Sequence, residues 1–463
     1  MIRRIVTRTG FGLPSWGTRP ASSLQMDLPL CSPLRLTPTA RFPPSNTLRA
    51  TCSVSGSTKK NRVIVISGPT GAGKSRLALE LAKALDGEIV SADSVQVYRG
   101  LDVGSAKPST WDRNEVPHHL IDILQPSDDY SAGQFFEDAR RATEGVVGRG
   151  RVPIVAGGTG LYLRWYIYGK PDVPKASFMI SHEVCAELME LQNSKQWDAA
   201  VDLVVKAGDP NARFLPTNNW YRLRRSLEII RSSGMPPSAF SVPYDSFRQR
   251  LDSRASHTSV VEHLPDANSS LNTAKDLDYN FICFFLTGPR IDLYRSIDLR
   301  CEDMLMETEG LLSEASWLLD IGLHPNMNSA TRAIGYRQAM EYLLSCREQG
   351  GRSTPEEFRA FLSEFQKASR NFAKRQITWF RNELIYYWLD ASRPFEEVID
   401  FICDAYHDQT GRLVVPESLK MKKHTNGRQE TYELKSYRAL VKLFSRDQDC
   451  DHVMNWIRST QRR

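Results

Sequence analysis

The sequence predicts an α/β fold: a P-loop NTPase-like, doubly wound parallel sheet core with a helical insertion domain and a C-terminal extension. Three observations carry this. Apolar runs of strand length alternate with helical periodicity over residues 61–170 and return from 277 to about 400. A phosphate-loop motif, "GPTGAGKS", falls between one such strand and one such helix. No run reaches the roughly eighteen apolar residues of a membrane span, "FICFFL" (Phe281 to Leu286) being a buried-strand length. A chain of 463 residues has room for two or three domains and a large core.

Taken in order, "RVIVIS" reads as a buried parallel strand, and "RLALELAKAL" as an amphipathic helix ended at Asp86-Gly87. "EIVSA" is a second strand, and "RVPIVAGGTG" a third that enters a glycine-rich turn. From about Lys170 the pattern turns helical: "EVCAELMELQNSKQWDAAVDLVVKA" and "RLRRSLEIIRSSG" mark an insertion over 171–240. Residues 241–276 have no sustained period and read as a surface excursion. "FICFFLT" returns to the sheet, and helices follow through Arg381. Residues 401–463 form an extension with a basic end: from Glu417 onward there are eleven Lys or Arg against six acids.

The net charge of +6 hides an asymmetry. Residues 1–60 hold nine Lys or Arg against one acid, Asp27, and are rich in Ser, Thr and Pro. Arg-rich, Ser-rich and acid-poor is the composition of an organelle transit peptide. Plastid or mitochondrion is therefore the expected destination, with the cytosol as the alternative. The eight cysteines show no C-x-x-C spacing, which argues against a disulfide framework and a zinc site and fits a reducing compartment.

The phosphate loop comprises Gly68, Pro69, Thr70, Gly71, Ala72, Gly73, Lys74 and Ser75. Its glycines let backbone N–H groups converge on phosphate oxygens at the positive end of the following helix. Lys74 adds a point charge, and the Ser75 hydroxyl suits Mg2+. The motif does not say which phosphate compound binds. The next segment, "SADSVQVYRGLDVGSAKP", places Asp93 at a strand end, followed by Ser94, Val95, Gln96 and Tyr98. By residue type alone Asp93 suits a metal ligand, a general base or a strand-end cap.

Six ordered blocks then stand out: "GPTGAGKS", "SADSVQVYRGLDVGSAKP", "VPHHLID", "VAGGTGLYL", "AIGYRQ" and "AKRQITWFR". Together, from about Val63 to Asp390, they resemble the tRNA dimethylallyltransferase (tRNA isopentenyltransferase) family, in its bacterial-like form. The resemblance implies transfer of a dimethylallyl group from dimethylallyl diphosphate to the exocyclic amine of the adenosine immediately 3′ of the anticodon. Mg2+ is the implied cofactor, and the tRNA anticodon stem-loop the implied macromolecular partner, with a monomer favoured. Asp93 matches the family's general base, and Thr159 in "AGGTGLY" a substrate contact. The family carries a pair of arginines near "LYRSIDLRCEDML"; Arg300 matches one, while the other falls on Ser296 with Arg295 one place off. The implied tRNA contacts are Asp93, Ser94, Val95, Gln96 and Tyr98, then Tyr221, Arg222, Leu223, Arg224 and Arg225 in the insertion. Near the end of the match they are Lys374, Arg375, Gln376, Trp379 and Arg381. Independently of the resemblance, Gln366 to Arg381 interleaves five cations with three aromatics and no acid, an arrangement suited to RNA. His118 and His119 read as packing or hydrogen-bonding residues. Competing readings are an adenylate isopentenyltransferase acting on a free nucleotide, and a P-loop nucleoside kinase or RNA-dependent ATPase. The last needs an acid after an apolar strand, where "PIVAGGT" ends in glycines.

Overall fold

The computed structural model describes residues 60–245, 247–249, 277–306, 310–410, 412–423 and 428–462. The expected transit segment and most of the expected surface excursion lie outside them. Six parallel strands form one sheet in the order β3-β2-β4-β1-β5-β6. They are β1 Arg62–Ser67, β2 Gly87–Ser91, β3 His118–His119, β4 Val152–Gly157, β5 Asn280–Thr287 and β6 Tyr386–Asp390. The outer strands β3 and β6 were not anticipated: one is a two-residue strand, the other a five-residue aromatic run directly after a long helix.

Both faces of the sheet are covered, as parallel sheets require. Along β1 the side chains alternate: Ile64 and Ile66 face one core, Val63 and Val65 the other. The first core includes Leu77 and Leu81 of α1 (Lys74–Ala84). The second takes Phe135 of α3 (Ala132–Gly148) and Leu163 of α4 (Gly160–Tyr168), a short α2 (Thr110–Glu115) preceding them in the chain. After β5, α8 (Arg290–Met306), α9 (Leu311–Asp320), α10 (Tyr336–Glu348) and α11 (Pro355–Arg381) pack on that same face. Beyond β6, α12 (Phe395–His407) joins α1 through Val398 and Ile402.

Between α4 and β5 the chain leaves the sheet. Helices α5 (Phe178–Asn193), α6 (Trp197–Ala207) and α7 (Trp220–Ser233) close on a core of their own built from Val184, Leu188, Val204, Leu223 and Leu227. The chain returns through Tyr244, whose ring packs on Tyr168 and whose hydroxyl donates to the Asn382 carbonyl (3.0 Å). The extension continues through α13 (Arg428–Ser436) to α14 (Asp451–Thr460). Phe444, Val453 and Ile457 sink into the main core. Among the described residues six cysteines are free thiols, and no helix is long and apolar enough to cross a membrane.

Candidate active site

Register puts the site at one edge. Ser67 pairs with Gly157, and Ser91 with Ala156, so the phosphate loop, Asp93 and Thr159 all leave the sheet at the same strand ends. These loops, with α8 and α11, enclose a cleft of about 480 Å³. Thr70, Lys74, Ser75, Asp93, Ser94, Val95, Gln96, Thr159, Arg300, Arg375 and Gln376 all line it.

The phosphate loop needs glycine at its first turn: a Cβ on Gly68 would lie 2.2 Å from the Leu286 carbonyl oxygen. Gly73 caps α1 in the left-handed region (φ 84°), and no side chain makes a capping hydrogen bond there. Ala72 and Pro69 pack inward, while Gly71 abuts Ile297 of α8. Lys74 donates to the Pro69 carbonyl (2.8 Å), so its ammonium lies over its own loop. Burial, and then the neighbouring Arg300, depress its pKa to about 8, with Asp93 opposing them. Burial also lowers the pKa of Arg300, again opposed by Asp93. Three charges of the site therefore feel one another across the cleft.

Asp93 Oδ1 accepts from the backbone N–H of Val95 (2.8 Å) and, more weakly, of Gln96 (3.4 Å). Those bonds fix the carboxylate, and Asp93 lines the cleft. Thr159 holds the N-cap position of α4 without using its hydroxyl as a cap. The glycines before it are steric necessities: a Cβ on Gly157 would meet the Ala92 oxygen at 2.2 Å, and one on Gly158 the Gln376 amide at 2.2 Å.

Several expected RNA contacts are braces. Gln376 is buried; its Nε2 donates to the Gly158 carbonyl (3.0 Å) and its Oε1 accepts from Thr70 N–H (2.9 Å), joining two substrate loops. Gln96 is also buried, accepting from Ser91 and donating to the Ser105 and Ala106 carbonyls. Tyr98 lies wholly in the core, and Leu223 in the core of the insertion. Both are packing residues here.

Other expected contacts reach the surface. Tyr221 and Arg222 are exposed, Arg224 pairs with Asp129 (3.3 Å), and Arg225 with Glu228 (3.2 Å). Lys374 and Arg375 are exposed on α11. Trp379 is half-buried and covers the Arg164 guanidinium (4.1 Å), which Tyr244 covers at the same distance and Glu383 pairs with at 2.6 Å. Arg381 is half-buried at the helix end. Of the basic run, Arg370 turns inward to the buried Asp298. Arg295 is exposed on α8 and pairs with Asp292 of the same helix (3.1 Å), while Arg300 lines the cleft. His118 Nδ1 donates to the Val116 carbonyl just before its strand (2.7 Å), and His119 bonds Glu88 (2.7 Å).

Sequence reasoning did not single out the supports of the "SADSVQVYRGLDVGSAKP" loop. Lys107 is almost wholly buried and donates to the Tyr98 carbonyl, Asp102 and Asp122, each at 2.6 Å. Glu314 of α9 accepts three successive backbone N–H groups, from Asp102 (2.6 Å), Val103 (2.7 Å) and Gly104 (2.9 Å), plus the Tyr336 hydroxyl (2.7 Å). It also did not find the apolar pole of the cleft, made by Ile297, Met304, Ile334, Phe365 and Phe372 from three separate segments.

No cluster of three or more His, Cys, Asp or Glu that could hold a metal exists among the described residues. Ser75, which lines the cleft beside the phosphate loop, could hold a magnesium ion together with substrate phosphate oxygens and water.

The fold and cleft define a P-loop α/β protein whose anion-cradling loop lies beside a positioned carboxylate. Comparison makes the class specific. The family model for IPP transferases matches residues 96–383, and one for isopentenyl transferases matches residues 61–117. The chain is 61% identical over 401 residues to tRNA dimethylallyltransferase 9 of Arabidopsis thaliana, covering 87% of each chain. It is 37% identical over 349 residues to tRNA dimethylallyltransferase of Protochlamydia amoebophila, covering 75% of this chain and 89% of the relative. A solved eukaryotic dimethylallyltransferase acting on tRNA shares the fold, with a TM-score of 0.55, 24% identity, and coverage of 81% of this chain and 84% of that one. The chain belongs to the IPP transferase family, the tRNA dimethylallyltransferases.

Proposed function

We propose that this enzyme transfers a dimethylallyl group from dimethylallyl diphosphate to the exocyclic amine of the adenosine immediately 3′ of the anticodon in tRNA. The observation that carries the reading is one cleft with three parts: an anion cradle, an apolar pole and a free carboxylate oxygen. The diphosphate would lie on the loop N–H groups with Lys74 and Arg300 around it, and the five-carbon chain against Ile297, Met304 and Phe372. Fixed donors of this kind are typically worth about 2–4 kcal/mol each to a leaving group in a dry site. Magnesium, held at Ser75 and the phosphate oxygens, would neutralise further charge on the departing diphosphate.

Asp93 would accept a hydrogen bond from the adenine amine on Oδ2. As the amine nitrogen bonds to the allylic carbon, the carbon–oxygen bond to diphosphate breaks and the amine proton passes to Asp93. Thr159 would orient the reactants from the opposite loop. An extruded base needs a grip on the surrounding RNA, and the exposed Lys374, Arg375, Tyr221 and Arg222 are suited to it. A free nucleotide would not call for the three-helix insertion. The Arg-rich head of this chain and its similarity to a plant protein support delivery to a plastid or mitochondrion.

The test offers labelled dimethylallyl diphosphate to the protein with tRNA and, separately, with AMP. Label is expected on tRNA bearing adenosine beside the anticodon, and none on AMP. Label on AMP alone, or phosphate release from ATP, would overturn the reading.

A further inference from the structure

We propose that the C-terminal segment Tyr437–Leu443 is a clasp that positions Arg300 toward the diphosphate by locking α8 against α11. The inference rests on the prenyl-transfer reading. Helix α8 presents Ile297, Arg300, Cys301 and Met304 to the cleft. Two residues either side of Arg300 stand Asp298 and Glu302, both 0% exposed and sharing the helix face about half a turn round from it. A carboxylate buried among apolar side chains needs matched donors.

Those donors come largely from the extension. Asp298 accepts from the Tyr437 hydroxyl (2.7 Å) and Leu440 N–H (3.0 Å), and pairs with Arg370 of α11. Glu302 accepts from Lys442 N–H (3.0 Å) and Leu443 N–H (2.5 Å). From α11, Gln366 donates to the Leu440 carbonyl (2.9 Å) and to the Asp298 carbonyl (3.3 Å). The Tyr437 ring sits edge-on to Tyr294 of α8 (5.5 Å) with Arg370 over it (5.6 Å). Seven residues thus bind one helix at two points and tie it to the helix that carries Arg375 and Gln376. Rotation or sliding of α8 breaks several charge-assisted bonds at once. Arg300 must meet its anion within fractions of an ångström, so a joint set far from the chemistry governs affinity.

The test uses the full chain with magnesium and inorganic diphosphate as probe, followed by calorimetry, alongside transfer kinetics and tRNA binding. Glu302→Gln is expected to weaken diphosphate binding about 10-fold and Tyr437→Phe about 3-fold, with tRNA affinity within about 2-fold of the parent. In an Arg300→Ala background neither substitution should weaken diphosphate binding further. Tyr437→Phe removes one hydroxyl and carries the same cycle if Glu302→Gln does not fold. Full-sized losses persisting without Arg300, or parental diphosphate binding by both variants, would sink the clasp while leaving transfer to tRNA intact. A parent chain that binds no diphosphate would overturn the prenyl-transfer reading and the clasp together.

Discussion

Asp93 has one oxygen tied to its own loop and lines the cleft. Asp93→Asn keeps the size and the fixed oxygen but removes the proton acceptor. Turnover should fall about 100-fold or more while tRNA binding stays within a few-fold, as for a lost general base. Binding that collapses together with rate would mark Asp93 as structural. Lys74 makes a second prediction. Its pKa of about 8 means the free site carries the ammonium below that pH and loses it above. The KM for dimethylallyl diphosphate should therefore rise as pH passes 8, and Lys74→Arg should flatten the rise because a guanidinium stays charged. A parental KM that is level across that range would contradict the assignment. At this scale the cleft's chemical groups were legible because motif order marks them. The interior placing of Tyr98 and Leu223 was not, since a motif does not say which way a side chain points. Leu223 did carry a signal: it shares a helical stripe with Leu227 and Ile230, all buried.

The long helix α11 does two jobs on two faces. Lys374 and Arg375 look outward, whereas Phe365, Ser369, Ala373, Gln376 and Phe380 form one buried stripe. The basic run suggested an RNA-facing helix, and its apolar spacing held the clue that Gln376 is buried. Gln376→Ala would leave the Thr70 N–H and the Gly158 carbonyl without partners, at a cost of about 1–3 kcal/mol for each buried group. The KM for dimethylallyl diphosphate should rise roughly 10-fold, with a matching shift to lower urea midpoint and tRNA affinity little changed. Unchanged KM with a large loss of tRNA binding would return Gln376 to the RNA face. The four inner strands and α1 were readable from pattern, the strands as apolar runs and α1 as an amphipathic repeat. Strands β3 and β6 were not, because two residues and a short aromatic run carry no period of their own.

For the molecule as a whole, a sheet edge gathers three loops, a helix pair closes the cleft, and an extension secures that pair. The sheet and its phosphate loop follow from local pattern. The joins do not: Glu314 holds residues 102–104, Gln376 holds Thr70, and Asp298 holds Leu440, each across more than a hundred positions of sequence. Such contacts depend on how elements pack and leave no mark in the spacing of residues. The extension read as basic composition, yet its described part is joined to the core by two buried carboxylates. The central claim is that one cleft brings a diphosphate and an RNA adenine together. It is tested most directly by incubating the protein with labelled dimethylallyl diphosphate and tRNA, then locating the label by nuclease digestion while counting released diphosphate. The account predicts one diphosphate released for each labelled adenosine, all of it immediately 3′ of the anticodon. Diphosphate release without labelled adenosine, or label spread over other positions, would contradict it.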